Sequence, residues 1–384
     1  MRSLLLAGLA TLALAPAVSS AAPWDDEAFR DPVDGRLDTS RWLLDRKGFL
    51  PVPIVITEPA VGYGGGLALL FFHRNADSAP ATREMGAARA FEPPDITAGA
   101  AFGTENGSKG GAVGHLGFSE GRRWRYVGGI ARGSINLAWY GTPGIGPGTT
   151  SEGRDVNLDG TLAIADVRRR FGDSEWWAGL RYQGSSVKSK FARDGSPEPP
   201  RADLDAALSG LGPVVEYDGR DNIFTPNAGF RAYLEAIKFS PSLGSDYDFT
   251  RSRLALQGFH PVGDSLVVGL RADLQGVDGD APFYARPFVE LRGIPAMRYQ
   301  GDRVAVAEIE GRWNLDGRWS LVGFAGAGRA AGSNAALRDE PTRTTVGAGF
   351  RYLLTRALGM RVGIDVARGP EDKAVYLVMG SAWR

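Results

Sequence analysis

One block of this chain carries side chains whose types and spacing imply buried ion chemistry. Residues 287–301 (Pro287-Phe288-Val289-Glu290-Leu291-Arg292-Gly293-Ile294-Pro295-Ala296-Met297-Arg298-Tyr299-Gln300-Gly301) are apolar for most of their length yet enclose Arg292. A connecting segment this hydrophobic folds back and packs rather than standing in water. Its guanidinium then leaves water with it, which is costly without a partner, and the natural partner is a carboxylate. The stretch that follows supplies two: Val304, Val306, Glu308, Glu310 and Arg312 share one face, opposite Ala305, Ala307, Ile309 and Trp313. The spacing predicts that Arg292, in a loop fixed with Gly293 and Ile294, pairs with Glu308 or Glu310. The plainer alternative is a charged face with no specific pair.

A second block, residues 216–229, joins two alternating stretches. Asp218, Asn222 and Asn227 suit Asx-type turns, and Pro226 with Gly229 suits a tight re-entry. Arg220 stands between Asp218 and Asp221, so local ion pairing would lock the turn. The pattern specifies a rigid turn, not an acid pair for catalysis.

Other candidate chemistries fail on context. Gly62-Tyr63-Gly64-Gly65-Gly66 looks like a phosphate loop, but it runs into the strand-like 67–72 rather than into a helix N-terminus. The glycines read instead as bending and thinning a strand. Gly144-Ile145-Gly146-Pro147-Gly148 is a loop for the same reason. His73, His115 and His260 lack metal-ligand spacing, and no cysteine is present. The expectation is a chain that is not an enzyme and needs no cofactor or metal. A formal net charge of zero gives no electrostatic case for nucleic acid.

The elements that must position these residues are strands. From about Gly62 onward, segments of roughly ten residues alternate with period two between polar or Gly- and Pro-rich breaks. Leu266, Val268, Leu270, Ala272 and Leu274 oppose Gly269, Arg271, Asp273 and Gln275. Val346, Ala348, Phe350 and Tyr352 oppose Gly347, Gly349 and Arg351, and Met360, Val362, Ile364 and Val366 oppose Arg361, Gly363 and Asp365. Charges on one face of nearly every strand fit a transmembrane barrel, apolar outside and polar in its lumen, better than a sandwich core. Closure also removes edges that lipid could not hydrogen-bond. Fifteen segments are recognisable, and residues 49–57 supply a sixteenth. The reading is an all-β, antiparallel barrel of about sixteen strands over residues 50–384, with the Arg292 loop folded in between strands 11 and 12.

The remaining residues divide simply. Arg2 and the apolar residues 4–18, followed by small residues, read as a signal peptide over 1–22, implying export. Residues 23–49 form a short periplasmic leader, too short for a domain with its own core. Within it Ser40 is placed to cap a helix over 41–47 that plugs the barrel mouth or lies at the interface; a poorly ordered leader is the bland alternative.

Together these blocks carry a family resemblance. Asp218-Gly219-Arg220-Asp221 with Pro226 and Gly229, then Leu291-Arg292-Gly293-Ile294 before Glu308-Ile309-Glu310-Gly311-Arg312, resembles the BamA/TamA family of bacterial surface antigen barrels, over residues 50–384. Arg292 and Gly293 match its loop motif, whereas Ile294 stands where the family has an aromatic. The family's Phe-x-Asp-x-Gly acid is replaced in Phe324-Ala325-Gly326-Ala327-Gly328, which leaves Glu308 or Glu310 as partners. The last strand ends beside Trp383, on a face shared with Val375, Leu377 and Met379, and resembles the family's C-terminal assembly signal. The short form lacks the periplasmic client-binding domains of the larger members.

That resemblance implies a Gram-negative outer-membrane protein of envelope biogenesis, acting in membrane-protein or lipid insertion or transport. Its implied partners are outer-membrane lipids, the barrel assembly machinery during biogenesis and a separate periplasmic protein. A seam between first and last strands, thinned by Gly64, Gly65, Gly66 and Gly380, is the expected working element. The alternative is a passive or selective channel whose lumen is set by Arg181, Arg271, Asp273, Arg351 and Asp365.

Overall fold

The computed structural model describes residues 27–45, 49–58, 60–73, 95–119, 121, 123–142, 146–147, 153–191 and 205–383. The expected signal peptide, the end of the expected helix beyond Asp45, and Arg384 lie outside these. Sixteen strands form one sheet in chain order, each antiparallel to the next. They are β1 (Phe49–Glu58), β2 (Gly62–His73), β3 (Asp95–Thr104), β4 (Lys109–Phe118), β5 (Trp124–Trp139), β6 (Arg154–Arg170), β7 (Trp176–Phe191) and β8 (Asp205–Asp218). There follow β9 (Gly229–Phe239), β10 (Phe249–Val262), β11 (Leu266–Gly279), β12 (Arg303–Asn314), β13 (Trp319–Ala331), β14 (Arg343–Thr355), β15 (Met360–Arg368) and β16 (Lys373–Met379).

The sheet curls until β1 meets β16, giving a nearly closed barrel. No hydrogen-bonded ladder joins those two strands among the described residues. Even chain order puts both ends of the sheet at one mouth, beside the leader. Residues 280–302, between β11 and β12, enter from the other mouth.

Alternation sorts the wall. Val113, Ile130, Leu180, Leu234, Leu270 and Ile309 stand exposed on the outer face. Asp166, Arg168, Glu216, Glu308, Arg351 and Asp365 are buried on the inner face. In water that arrangement would be inverted, and in a hydrocarbon surround it is what the hydrophobic effect demands. No helix among the described residues is long and apolar enough to cross a membrane, which says nothing of strands.

Four expectations are corrected. Gly64, Gly65 and Gly66 belong to β2, paired with β1 and β3, so they do not line the edge of the sheet. A Cβ at Gly64 or Gly66 would collide with the backbone of β3, so these glycines let two strands approach closely. Gly380 lies just beyond β16 with φ +75°, and a Cβ there would press on the Phe224 carbonyl. That left-handed residue turns the chain inward, so Trp383 does not continue the face of Val375 and Leu377. Those two point outward, while Trp383 is buried against Phe259 and Val267.

Met360 also departs from its expected face. The β14–β15 register shifts between Leu353 and Thr355, and Met360 becomes fully buried with Leu50, Phe72 and Leu358. Finally, the helix expected over 41–47 spans α1 (Ser40–Asp45) among the described residues. Ser40 does not stand ahead of that helix as its cap; it is the first helical residue, and its hydroxyl accepts the Ala357 N–H at 3.0 Å.

Candidate functional site in the barrel lumen

Arg292 reaches across the lumen to three strands. Its Nη2 donates to Glu310 Oε2 at 2.8 Å and also to Glu308 on β12. Its Nη1 donates to Asp365 Oδ2 on β15 at 2.6 Å. The guanidinium lies 3.4 Å from the centroid of Phe324 on β13, so one face of the cation stacks while its edges are bonded. Asp365 is fully buried and also accepts Arg351 Nη1 and Nη2 at 2.5 and 2.9 Å. Three carboxylates thus face two guanidiniums. A neutral donor completes the set: Trp383 Nε1 donates to Glu308 Oε1 at 2.8 Å.

The loop is seated by small residues. A Cβ on Gly326 would strike Leu291, 2.7 Å away. Gly328 likewise leaves room for Val289. The glycines standing where an acid was sought are therefore the floor on which the loop lies. Ile294 packs with Val289, Leu291, Val304 and Val306. Gly293 has φ +92°, a Cβ there would meet Gly369 N at 2.8 Å, and its N–H donates to Tyr376 Oη at 2.9 Å. At the far mouth, Trp139 Nε1 donates to Gln300 Oε1 at 3.0 Å, and Phe283 packs on Trp139. What the arrangement can do is hold a long loop inside a pore by ions at one end and aromatic packing at the other.

The 218–229 block is a turn at the leader end. Arg220 donates to Asp218 through Nε at 2.7 Å and Nη2 at 2.8 Å. It makes no ion pair with Asp221, whose Oδ1 instead accepts the N–H groups of Asn227 and Ala228 at 2.9 and 3.2 Å. Arg312 ties this turn to the Glu308 strand, donating to Pro226 O at 3.0 Å and to Asn227. Asn222 Nδ2 donates to Leu358 O at 2.9 Å, joining it to the β14–β15 turn. Pro226 and Gly229 thus sit in a turn that braces the Arg292 strands from below.

A third cluster fastens the leader. Arg318, at 0 % exposure, donates to Asp34 and Asp38 at 2.7 Å each and to Asp31. Arg356 donates to Asp31 at 2.5 Å and Asp34 at 2.7 Å. Burial alone would raise the Asp31 carboxyl, but the Val33 N–H and the two guanidiniums outweigh it and hold it lowered. The Arg318 hydrogen bond holds Asp34 well below the usual carboxylate range, against a smaller desolvation effect. A depressed folded-state pKa gives stability present above the unfolded value of about 3.9, lost as pH falls through the lower folded value. Pepsin digestion should therefore leave residues 27–45 intact near pH 4 and remove them near pH 2. Equal cleavage at both would show that ions do not hold the leader.

Sequence reading missed several partners. Asp365 was placed among lumen charges but not with Arg292, because it lies three strands away from Glu308. Phe324 and Trp383 carried no local signal for a lumen role. The leader cluster was missed outright: Asp31, Asp34 and Asp38 lie close together in sequence, but Arg318 and Arg356 are some 280 residues or more away and only the folded wall brings them within reach.

The family description "Omp85 superfamily domain" matches residues 149–367, more than half of the chain. Among solved structures, BamA from Haemophilus ducreyi lacking POTRA domains 1–3 is similar at 12% identity and a TM-score of 0.53. That match covers 87% of this chain and 69% of the other. CdiB from Acinetobacter baumannii is similar at 12% identity and TM-score 0.55, covering 86% of this chain and 59% of the other. CdiB from Escherichia coli is similar at 11% identity and TM-score 0.57, covering 86% and 61%. This chain thus spans under two thirds of either CdiB chain, and at such identities the likeness is one of fold. No curated protein matches the sequence.

Proposed function

The chain belongs to the Omp85 superfamily, and from that premise we propose that it is an outer-membrane barrel of envelope biogenesis, without enzymatic activity. It moves lipid or membrane-protein segments through the seam between β1 and β16. The observation that carries this reading is the abutment of those two strands without a ladder. Every other junction in the wall is hydrogen-bonded over seven or more residues, so β1–β16 is where the wall parts at least cost. The occupied lumen supports the same reading over a passive channel, because residues 280–302 cross it and are bonded to the wall. Residues 1–22 are then a signal peptide, 23–49 a periplasmic leader, and Trp383 part of the signal read by the assembly machinery. Outer-membrane lipids are the surrounding partner, and a separate periplasmic protein supplies client capture.

The test is a locked seam. The chain has no cysteine, so cysteine pairs introduced on the same face of β1 and β16, scanned along both strands, give candidate disulfides across the seam. In a strain lacking the native gene, the oxidised protein should fail to restore envelope integrity, and reductant should restore it. Full function with the seam locked would sink lateral opening.

A further inference from the structure

The inner wall is polar on one side only. Following the register across β1 to β6, Val52, Ala68, Ala100, Ala112, Ala131 and Leu162 stand in one row, all facing the lumen. Leu162 retains 54% exposure although it points inward. Below this row, Arg125 on β5 and Asp166 and Arg168 on β6 begin a charged stretch that continues around β7 to β15. A barrel that only needed a wet lumen has no physical reason for an aliphatic and glycine-lined third. Leaving such a surface against water is unfavourable in proportion to its area.

Two cavities sit side by side above this wall. One, of about 340 Å³, is apolar, lined by Phe102, Ala112, Leu158, Leu162, Val187 and Tyr284. It falls at the lower end of the size of small-molecule sites, ~300–1,000 Å³. The other, of about 240 Å³, carries Arg251, Arg253 and Arg286 beside Glu235 and Glu290, and it shares Tyr284 with the first. Arg253 and Arg286 are paired with Asp273 and Asp302. Arg251 is not: it donates to the neutral Gln183 and lies 5.8 Å from the Phe239 ring, and no carboxylate among the described residues closes an ion pair with it. Glu235 shares the cavity with Arg251 but is bonded to Arg181 and Tyr233, so this guanidinium, withdrawn from water and in no direct ion pair, keeps donors for an incoming anion.

We propose that the lumen binds one anionic, acyl-chain lipid, its hydrocarbon tail in the cavity over Ala112 and Leu162 and its anionic headgroup at Arg251, with Tyr284 between them. Complementarity selects this occupant: a neutral apolar ligand would leave Arg251 unmatched, and a small free anion would leave the aliphatic row bare. The row begins at β1, the strand without a ladder to β16, so the apolar surface runs to the edge where hydrocarbon lies outside. The site goes beyond the proposed transport role and stands even if a locked seam proves harmless, since both cavities lie within the fold.

The experiment uses the full-length protein in phosphatidylcholine vesicles. The vesicles carry a trace of phosphatidylglycerol with a diazirine in its acyl chain, or the matching phosphatidylcholine probe. After illumination, labelled peptides are mapped. Strand alternation separates the sites: Ala112 and Leu162 face inward, whereas Val113 and Ile130 face the surrounding lipid. The expected result is phosphatidylglycerol label on Ala112, Leu162 or Tyr284, with the phosphatidylcholine probe confined to outer positions. Ala131→Trp should fill the cavity and cut inner labelling roughly tenfold or more while outer labelling holds, which also reports that the barrel has folded. Arg251→Gln, a milder change, should lower the headgroup preference by roughly tenfold or more, the usual size of one charge-assisted contact. Label confined to Val113, Ile130 and their like overturns the site. So does equal inner labelling by both lipids.

Discussion

Arg292→Ala should lower the temperature at which the folded barrel converts to its unfolded form on semi-native gels, by the largest margin of any single lumen substitution. The reason is the imbalance it leaves. Arg292 neutralises Glu308, Glu310 and Asp365 together, and Glu308 and Asp365 are almost wholly buried. Without it those carboxylates retain only Arg351, on Asp365, and the Trp383 indole, on Glu308. Removing one partner of a buried pair costs ~3–5 kcal/mol, chiefly from the charge left behind. Phe324 also loses the cation stacked on it. The excess-charge account has its own check: adding Glu308→Gln to Arg292→Ala should recover part of the loss, because one orphan charge is gone. Arg292→Lys should fall between, since an ammonium cannot span three carboxylates with a planar fork. An unchanged transition in Arg292→Ala would mean that the guanidinium is solvated and the loop is not held by it.

Arg318→Ala should have an effect of similar size but different reach. Arg318 is enclosed by Asp31, Asp34 and Asp38 from the leader and by the Leu353 carbonyl from the wall. Losing it leaves buried Asp38 with only the backbone N–H groups of Ser40 and Arg356, again ~3–5 kcal/mol by the same reasoning. Arg356 keeps Asp31 and Asp34 partly matched, so the loss falls toward the lower end. The cluster sits at the mouth, outside the strand ladders, so the cheapest response is local release of the leader rather than unfolding of the barrel. Limited proteolysis should therefore cut residues 27–45 in the variant, while the gel-monitored barrel transition moves little. A variant whose leader stays protected would show that Trp42 packing on Phe29 and Phe49 suffices without the ions.

The two clusters sit on opposite sides of one structural unit. The 218–229 turn bonds to Arg312 of the Glu308 strand and to the Leu358 carbonyl of the β14–β15 turn, beside Arg356. Lumen loop, turn block and leader are therefore linked through β12 to β15, the strands that approach the seam from the C-terminal side.

Periodicity was enough for the barrel and fifteen of its strands, because outward and inward environments are sorted by a period of two. The even strand number of single-chain barrels pointed to residues 49–57 as the sixteenth, and apolar composition placed the folded-in loop. The Arg292 pairing with β12 was legible for a related reason. Glu308 and Glu310 lie close in sequence to the loop, and a buried cation in an apolar segment demands an anion nearby. Asp365 was not legible as a partner, since it comes within reach only when the sheet has curled through three further strands. Trp383 shows the limit of face counting: one left-handed glycine, Gly380, after the last paired residue sends the side chain inward, and no periodicity encodes that reversal. The glycines of β2 and β13 marked close approaches, but to what only the register could say. Local sequence therefore determined which residues face which solvent. Only the closed wall decided which of the inward-facing charges meet, because ion partners are set by strand register and curvature, not by separation along the chain.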